Sequence, residues 1–215
     1  MKYIIDTDIG DDIDDAFALD LALKQGVDLV CVTTVFRNTR ERAQIAKRMC
    51  GLFGADVPVY AGYGDTLNGG MATNVRLCQW TPELEGYAPD NSEAEEAVDA
   101  ILNAARRYGQ GLTVLALGPL TNIARAIEKD AAAMRSIGGI VMMGGDFRNH
   151  YAEWNICCDA EAASLVFSSG VSVTAFGHEV TSRMRLTHEE QAYVFSMKQD
   201  AYHAYLAELS RLWYA

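Results

Sequence analysis

Short runs of apolar and β-branched residues alternate with segments of helical periodicity along this chain, and that alternation limits its fold the most. The run Val27–Phe36 (VDLVCVTTVF) predicts a strand, and Thr39–Phe53, which ends before Gly54, predicts a helix. Strands are also predicted at Tyr3–Ile5, Val57–Tyr60, Leu112–Leu117, Ile137–Met143 and Val171–Phe176, and helices at Asp14–Lys24, Glu93–Tyr108, Leu120–Lys129 and Ala160–Phe167. Elements in this order are typical of βαβ units. We therefore predict an α/β fold with a mainly parallel sheet that helices cover on both faces.

The length of 215 residues predicts a single domain over residues 1–215. Gly62–Asn91 lacks periodicity and is rich in Gly, Pro, Asn and Asp, which predicts a long loop. Thr187–Tyr214 predicts one or two terminal helices.

The composition excludes several classes of protein. The net charge is −11 and the 18 Lys and Arg residues are scattered, which argues against a nucleic-acid partner because no basic stripe could displace counterions from phosphates. The five cysteines are odd in number and contain no Cys-x-x-Cys pair, so we expect reduced thiols. No apolar run is long enough for a signal segment or a membrane span. We expect a soluble, cytoplasmic protein without a membrane partner.

Six carboxylates fall within ten residues, between the first predicted strand and the first helix: Asp6, Asp8, Asp11, Asp12, Asp14 and Asp15. Helix capping by Asp14 or Asp15 would account for one or two of them. Two unit charges about 4 Å apart repel by about 4 kcal/mol at an effective dielectric constant of about 20, so the cluster as a whole requires protonation or a bound cation. Oxygen ligands favour Ca²⁺ or Mg²⁺. The segment is not an EF-hand, since Asp11 and Phe17 stand where Gly and Glu are required.

Two pieces of this segment resemble the N-terminal aspartate motif of the inosine-uridine nucleoside hydrolases. They are Asp6-Thr7-Asp8-Ile9-Gly10 and Asp14-Asp15-Ala16-Phe17-Ala18-Leu19. The acidic pair of that family lies two residues closer to the first glycine, so this chain carries either a two-residue insertion or a shifted register. We anchor the motif on its second piece, because the alternative puts Ile13 where an aspartate is required. Asp12 remains a possible substitute.

The resemblance continues in order along the rest of the chain. The matching segments are Thr33–Asn38 (TTVFRN), Leu117–Asn122 (LGPLTN), Ile140–Gly145 (IVMMGG), Ala152–Ile156 (AEWNI) followed by Asp159, and Gly177–Thr181 (GHEVT). Each segment alone is a weak signal, whereas the ordered set is specific. The resemblance implies a Rossmann-like nucleoside hydrolase fold and hydrolysis of the N-glycosidic bond of ribonucleosides to ribose and free base, in purine and pyrimidine salvage. It also implies a homo-oligomer, either a dimer or a tetramer.

The same resemblance implies a role for each matched residue around a Ca²⁺ ion. Asp8 would be the catalytic base, and the metal ligands would be Asp8, Asp15 and the Leu117 backbone carbonyl, with Asp12 as a further candidate. The residues implied to bind the nucleoside are Asp14, Asn38 and Asn155 at the 2′- and 3′-hydroxyls, Glu153 and Asn149 at the 5′-hydroxyl, and Met143 beside the sugar. Asn38 and Asn149 could also be ordinary turn residues.

The end of the chain departs from the family pattern. Family members continue beyond the point that matches Ala215 and carry a His-Asp pair there, so we expect the domain to be incomplete at its C-terminus. His150, His178 and His188 are expected to be surface residues, and Tyr202, His203 and Tyr205 are candidates for a base pocket. Two alternatives stay open. One is a truncated, non-catalytic binder of ribose or nucleosides. The other is a Mg²⁺-dependent phosphatase that uses the Asp6-Thr7-Asp8 motif.

Overall fold

A six-stranded parallel sheet organises the computed structural model of the chain, which describes residues 1–70 and 76–215. The strands are β1 (Lys2–Thr7), β2 (Leu29–Thr34), β3 (Val59–Ala61), β4 (Leu112–Ala116), β5 (Gly139–Met143) and β6 (Val173–Phe176). Their spatial order is β3-β2-β1-β4-β5-β6, and every neighbouring pair is parallel. The chain order therefore reverses between β1 and β4. The predicted strands and the parallel α/β architecture are confirmed.

The described residues form ten α-helices. They are α1 (Asp14–Lys24), α2 (Thr39–Phe53), α3 (Ala94–Tyr108), α4 (Thr121–Lys129), α5 (Ala131–Arg135), α6 (Trp154–Cys158), α7 (Ala160–Ser168), α8 (His178–Thr181), α9 (His188–Ser196) and α10 (Ala201–Tyr214). Sequence patterns did not predict α5, α6 and α8, because helices of four or five residues are too short to show a period. The side chains of Asp130 and Glu153 cap α5 and α6 by accepting backbone hydrogen bonds.

The central strands are buried on both faces of the sheet. In β1, Ile4 belongs to the apolar cluster that includes α3, α4 and α7, whereas Ile5 belongs to the cluster with α1, α2 and α10. Cys31 and Val32 of β2 are divided between the two clusters in the same way. Successive strand residues point to opposite faces, so a strand that is covered twice needs a continuous apolar run.

The last helix, α10, packs on the core. Tyr202 and Tyr205 are buried in the cluster with α1 and α2, and the Tyr202 hydroxyl donates to Asp20 at 2.8 Å. His203 contacts Asp200 at 2.9 Å. None of these three residues, which were predicted as candidates for a base pocket, lines the cavity that is described below. The apolar periodicity of α10 serves packing instead.

The predicted long loop, the cysteines and the possibility of a membrane-spanning helix were the other subjects of sequence expectations. The predicted loop Gly62–Asn91 contains a short 3₁₀ helix, Pro82–Gly86, while residues 71–75 of that loop lie outside the described residues. All five cysteines are free thiols, as expected. None of the helices in the described part of the chain has the length and apolar character needed to cross a bilayer.

A buried polar network ties the ends of β1 and β2 to the first turn of α4. Asp6 is fully buried, and its Oδ1 accepts hydrogen bonds from the Thr33 hydroxyl (2.6 Å) and the Asn122 amide (2.8 Å). The same amide donates to the Thr34 carbonyl (3.0 Å), and the Asn122 Oδ1 accepts from the Tyr63 N–H (2.9 Å). Burial raises the pKa of the Asp6 carboxyl to about 6. These contacts hold the strand ends on which the acidic segment is built.

We expect Asn122→Ala to lower the free energy of unfolding by about 2–4 kcal/mol, because it leaves buried partners on β1, on β2 and at Tyr63 with unmade hydrogen bonds. Urea denaturation measures the change. Asn103→Ala, at an exposed position of α3, is the matched control and should be nearly neutral. Equal stabilities of the two variants would contradict a structural role for the network.

Candidate active site

An open cavity of about 250 Å³ lies at the edge of the sheet where the carboxyl ends of the parallel strands meet. β1 pairs with β4 so that Asp6 lies beside Ala116, and the Leu117 N–H donates to the Asp6 carbonyl at 2.8 Å. Open α/β sheets bind ligands at this place, where the order of the strands reverses. Five aspartates line the cavity, Asp8, Asp11, Asp12, Asp14 and Asp15, together with Leu117, Met143, Tyr151, Glu153, Trp154, Asn155 and His178.

A tight turn brings the carboxylates together. Ile9 and Ile13 are buried and anchor the turn between β1 and α1 in the core. The Thr7 hydroxyl accepts from the Ile9 N–H at 3.1 Å and donates to the Asp15 carboxylate. Asp15 and its neighbour Asp14 form the first turn of α1, where the positive end of the helix dipole favours negative charge. The alternation of buried and polar residues in this turn therefore directs its carboxylates to the cavity.

Burial and mutual repulsion disfavour ionisation of these carboxyl groups. Burial raises the pKa of Asp8 to about 7, against the opposing influence of Arg42. Burial and the carboxylates of Asp8 and Asp14 raise the pKa of Asp15 well above its usual range. Among residues 1–70 and 76–215, the five cavity carboxylates make a single ion pair, between Asp11 and Arg42. With all five aspartates ionised, the cluster would therefore carry more negative charge than its neighbours neutralise.

The donor set suits a hard cation that takes both carboxylate and carbonyl oxygens. The described residues contain no group of three or more His, Cys, Asp or Glu side chains already arranged around one metal position. Asp8, Asp15 and Leu117 line the same cavity. Ca²⁺ and Mg²⁺ accept such mixed oxygen ligands and complete their shells with water. The residues present are therefore compatible with such an ion.

Glu153 and Asn155 build another part of the cavity. The Glu153 carboxylate caps α6 by accepting from the N–H groups of Asn155 (2.9 Å) and Ile156 (3.1 Å), and it also accepts from Gly145 (2.9 Å). The Asn155 amide donates to the carbonyls of Leu117 (2.7 Å) and Met143 (3.2 Å). Asn155 thereby links the ends of β4 and β5 at the cavity.

Two residues that the sequence analysis proposed as sugar ligands do not line the cavity. The Asn38 amide donates to Glu41 at 2.8 Å, at the beginning of α2. The Asn149 amide donates to Asp146 at 3.0 Å, and the Asn149 backbone N–H donates to the same carboxylate at 2.7 Å. The structure brings together the other predicted residues, namely Asp8, Asp12, Asp14, Asp15, Leu117, Met143, Glu153 and Asn155.

Three aromatic residues of the cavity were missed or given no role by the sequence analysis. The rings of Tyr151 and His178 stack with centroids 4.7 Å apart, and Trp154 lines the same cavity. The His178 Nδ1 lies 3.8 Å from Asp146, and its side chain is 42% exposed. His178 lies two residues after the end of β6, so its position near a strand end was the signal that could have identified it.

Comparison with known proteins identifies the family of this chain. The family model described as inosine-uridine preferring nucleoside hydrolase matches residues 3–215. Uridine nucleosidase 1 of Arabidopsis thaliana is 34% identical over 205 residues, which cover 88% of this chain and 60% of that protein. A non-specific ribonucleoside hydrolase of Klebsiella pneumoniae is 32% identical over 210 residues, covering 93% of this chain and 68% of the relative.

Solved structures show the same similarity. A plant nucleoside hydrolase superposes with a TM-score of 0.80 at 28% identity, over 99% of this chain and 70% of its own. A purine-preferring ribonucleoside hydrolase from Gardnerella vaginalis gives a TM-score of 0.81 at 26% identity, over 99% of this chain and 72% of its own. The chain spans about three fifths of the length of the plant uridine nucleosidases that it matches.

We expect Gly118→Ala to weaken Ca²⁺ binding by about tenfold or more, the usual effect of disturbing the support of a metal ligand. A Cβ atom at this position would lie 2.7 Å from Oδ1 of Asp8 and 3.0 Å from Val35, so the carboxylate would have to move. Isothermal titration calorimetry with Ca²⁺ measures the change. Gly111→Ala is the control, because no atom lies within 4 Å of its added Cβ. Unchanged affinity in Gly118→Ala would show that the position of Asp8 does not matter for the ion.

Proposed function

Because the chain belongs to the inosine-uridine preferring nucleoside hydrolase family, we propose that it hydrolyses the N-glycosidic bond of ribonucleosides to ribose and free base. The observation that carries this proposal is the cavity at the reversal of strand order, where Asp8, Asp14 and Asp15 share one space with Glu153 and Asn155. A hydrolase of this kind must activate water, hold a sugar and let a base depart. The cavity offers groups for the first two tasks.

We assign Ca²⁺ as the cofactor, held by Asp8, Asp15 and the Leu117 carbonyl. These three residues line the cavity, and the Leu117 carbonyl also accepts from the Asn155 amide. When bound, such a cation lowers the pKa of a coordinated water molecule and orients vicinal hydroxyls. The excess of carboxylates, with the pKa of Asp15 raised by burial and by its neighbours, supports a cation in this place.

Asp8 is the proposed base that takes a proton from the attacking water. A general base must lie within reach of the proton that it takes, and Asp8 lines the cavity in which the water and the sugar would bind. Its carboxylate lies against Gly118, where a Cβ atom would collide with it, so its position is closely defined.

The sugar is proposed to bind between Asp14 and Asn155, which would hold its 2′- and 3′-hydroxyls, with Met143 beside the ring. Glu153 would accept from the 5′-hydroxyl with lone pairs that its three backbone donors do not use. Asn38 and Asn149 do not line the cavity, and their amide groups donate to Glu41 and Asp146. Their roles depend on rearrangement when substrate binds.

Uridine and inosine are the proposed substrates. The Arabidopsis relative is named a uridine nucleosidase and the Klebsiella relative a non-specific ribonucleoside hydrolase. Participation in nucleoside salvage, a cytoplasmic location and a homo-oligomeric assembly complete the proposal, on the basis of the sequence resemblance and composition alone.

The burial of Asp6 argues against the phosphatase alternative. In an Asp-x-Asp phosphatase the first aspartate attacks the phosphate, which requires an accessible carboxylate. Asp6 is fully buried and bonded to Thr33 and Asn122, and it does not line the cavity.

We expect the 215-residue chain with Ca²⁺ to release ribose from uridine or inosine, and Asp8→Asn to lower kcat by about 10²–10⁴-fold, because the isosteric amide cannot accept the proton. A reducing-sugar assay measures release, and circular dichroism checks the fold. Asp56→Asn, at an exposed position, is the control. Near-normal turnover by Asp8→Asn would remove Asp8 from this role. Ribose binding without turnover would favour the non-catalytic binder, and hydrolysis of p-nitrophenyl phosphate with Mg²⁺ would favour the phosphatase.

Removal of the cation should stop ribose release and lower the thermal stability, because the five carboxylates then repel one another without a counterion. EGTA, which binds Ca²⁺ in preference to Mg²⁺, should abolish activity in a buffer that contains excess Mg²⁺, and added Ca²⁺ should restore it. Full activity in EGTA with Mg²⁺ present would contradict the assignment of Ca²⁺.

A further inference from the structure

A fully buried arginine contacts the turn between β1 and α1, which carries the cavity aspartates. Arg42 belongs to α2, and its guanidinium donates to the Phe36 carbonyl (Nε, 2.8 Å), to the Ile9 carbonyl (Nη1, 3.0 Å), to the Asp8 carbonyl, and to the Asp11 carboxylate (Nη2, 2.9 Å). A buried charge is costly unless hydrogen bonds and a counterion satisfy it. Here three carbonyls and one carboxylate do so.

These contacts join the loops that follow two neighbouring strands of the sheet. One is the turn after β1, which carries Asp8. The other follows β2, where Phe36 (φ 70°) and Arg37 (φ 59°) are both left-handed although neither is glycine. Such residues persist only where their surroundings hold them, and Arg42 holds the Phe36 carbonyl through Nε. The planar guanidinium can donate to all of these acceptors at once. The single ammonium group of a lysine could not.

The ion pair also sets Asp11 apart from the other cavity carboxylates. Asp11 has a fixed cationic partner, whereas Asp15 accepts from a neutral hydroxyl, that of Thr7. A carboxylate already paired with a buried guanidinium has less charge to offer a second cation.

We propose that Arg42 is a positioning residue of the metal site, which fixes the main chain of Asp8 and keeps Asp11 as its own counterion instead of a metal ligand. This inference rests on the cation of the proposed function. The position of Asp8 would then depend on Arg42, which lies on another element, α2, and contacts neither the ion nor the substrate.

The test compares Ca²⁺ binding by the 215-residue chain and its variants, with isothermal titration calorimetry and with thermal unfolding at zero and saturating Ca²⁺. Arg42→Lys keeps the charge but loses the planar guanidinium, so we expect a Kd at least about tenfold higher. Asp11→Asn keeps an acceptor for Arg42, so we expect a Kd within about twofold of the wild type. Arg48→Lys, the same change on the same helix, is the matched control and should bind normally.

The Ca²⁺-induced stabilisation separates positioning from a purely structural role. A purely structural loss would lower stability equally with and without Ca²⁺. A tenfold weaker Kd would instead reduce the stabilisation at saturating Ca²⁺ by about 1.4 kcal/mol. If Arg42→Lys does not fold, the Ca²⁺ affinity of Asp11→Asn still decides whether Asp11 is a metal ligand. A loss of Ca²⁺ affinity as large as that in Asp8→Asn overturns the proposal.

The outcomes also separate this inference from the function on which it rests. Normal Ca²⁺ affinity in Arg42→Lys, with binding by the wild type intact, overturns the role of Arg42 alone. Failure of the wild type to bind Ca²⁺ or Mg²⁺ overturns both the cation of the proposed function and the role of Arg42. Normal ribose release in the absence of any divalent ion also overturns both the cation of the proposed function and the role of Arg42.

Discussion

Electrostatic repulsion among the carboxylates that follow β1 is the constraint on which the rest of this structure depends. Five of them share one cavity, and a single ion pair among the described residues offsets their charge. Each must therefore be held in place by covalent and packing constraints. The buried strand, the anchoring isoleucines Ile9 and Ile13 and the first turn of α1 supply those constraints.

Buried polar groups then give the cavity its shape. The Asp6–Asn122 network joins the strand ends next to the turn that carries the aspartates. Arg42, on α2, donates to the main chain of that turn. The Glu153–Asn155 pair connects the ends of β4 and β5. Each satisfies backbone donors or acceptors that strand ends and turns leave unpaired. These buried polar residues thus hold the main chain that carries the side chains lining the cavity.

Residues near the ends of strands were the most predictable part of the site. Asp8, Leu117 and Met143 follow or end β1, β4 and β5, and a parallel sheet necessarily gathers those ends at one edge. Asn38 and Asn149 lie in loops, where local acceptors compete for the side chain, and both amides bond to nearby carboxylates instead.

The sequence by itself determined the order and type of the long elements, because apolar periodicity reports directly which faces a strand or helix buries. It also determined that a dense acidic segment would sit at a strand end. Only the tertiary structure decided that Tyr151 and His178 enter the cavity, that Tyr202 and Tyr205 belong to the core, and that Arg42 pairs with Asp11. These contacts join residues far apart in the chain, and side-chain spacing along a sequence carries no information about which distant acceptors a folded backbone will present.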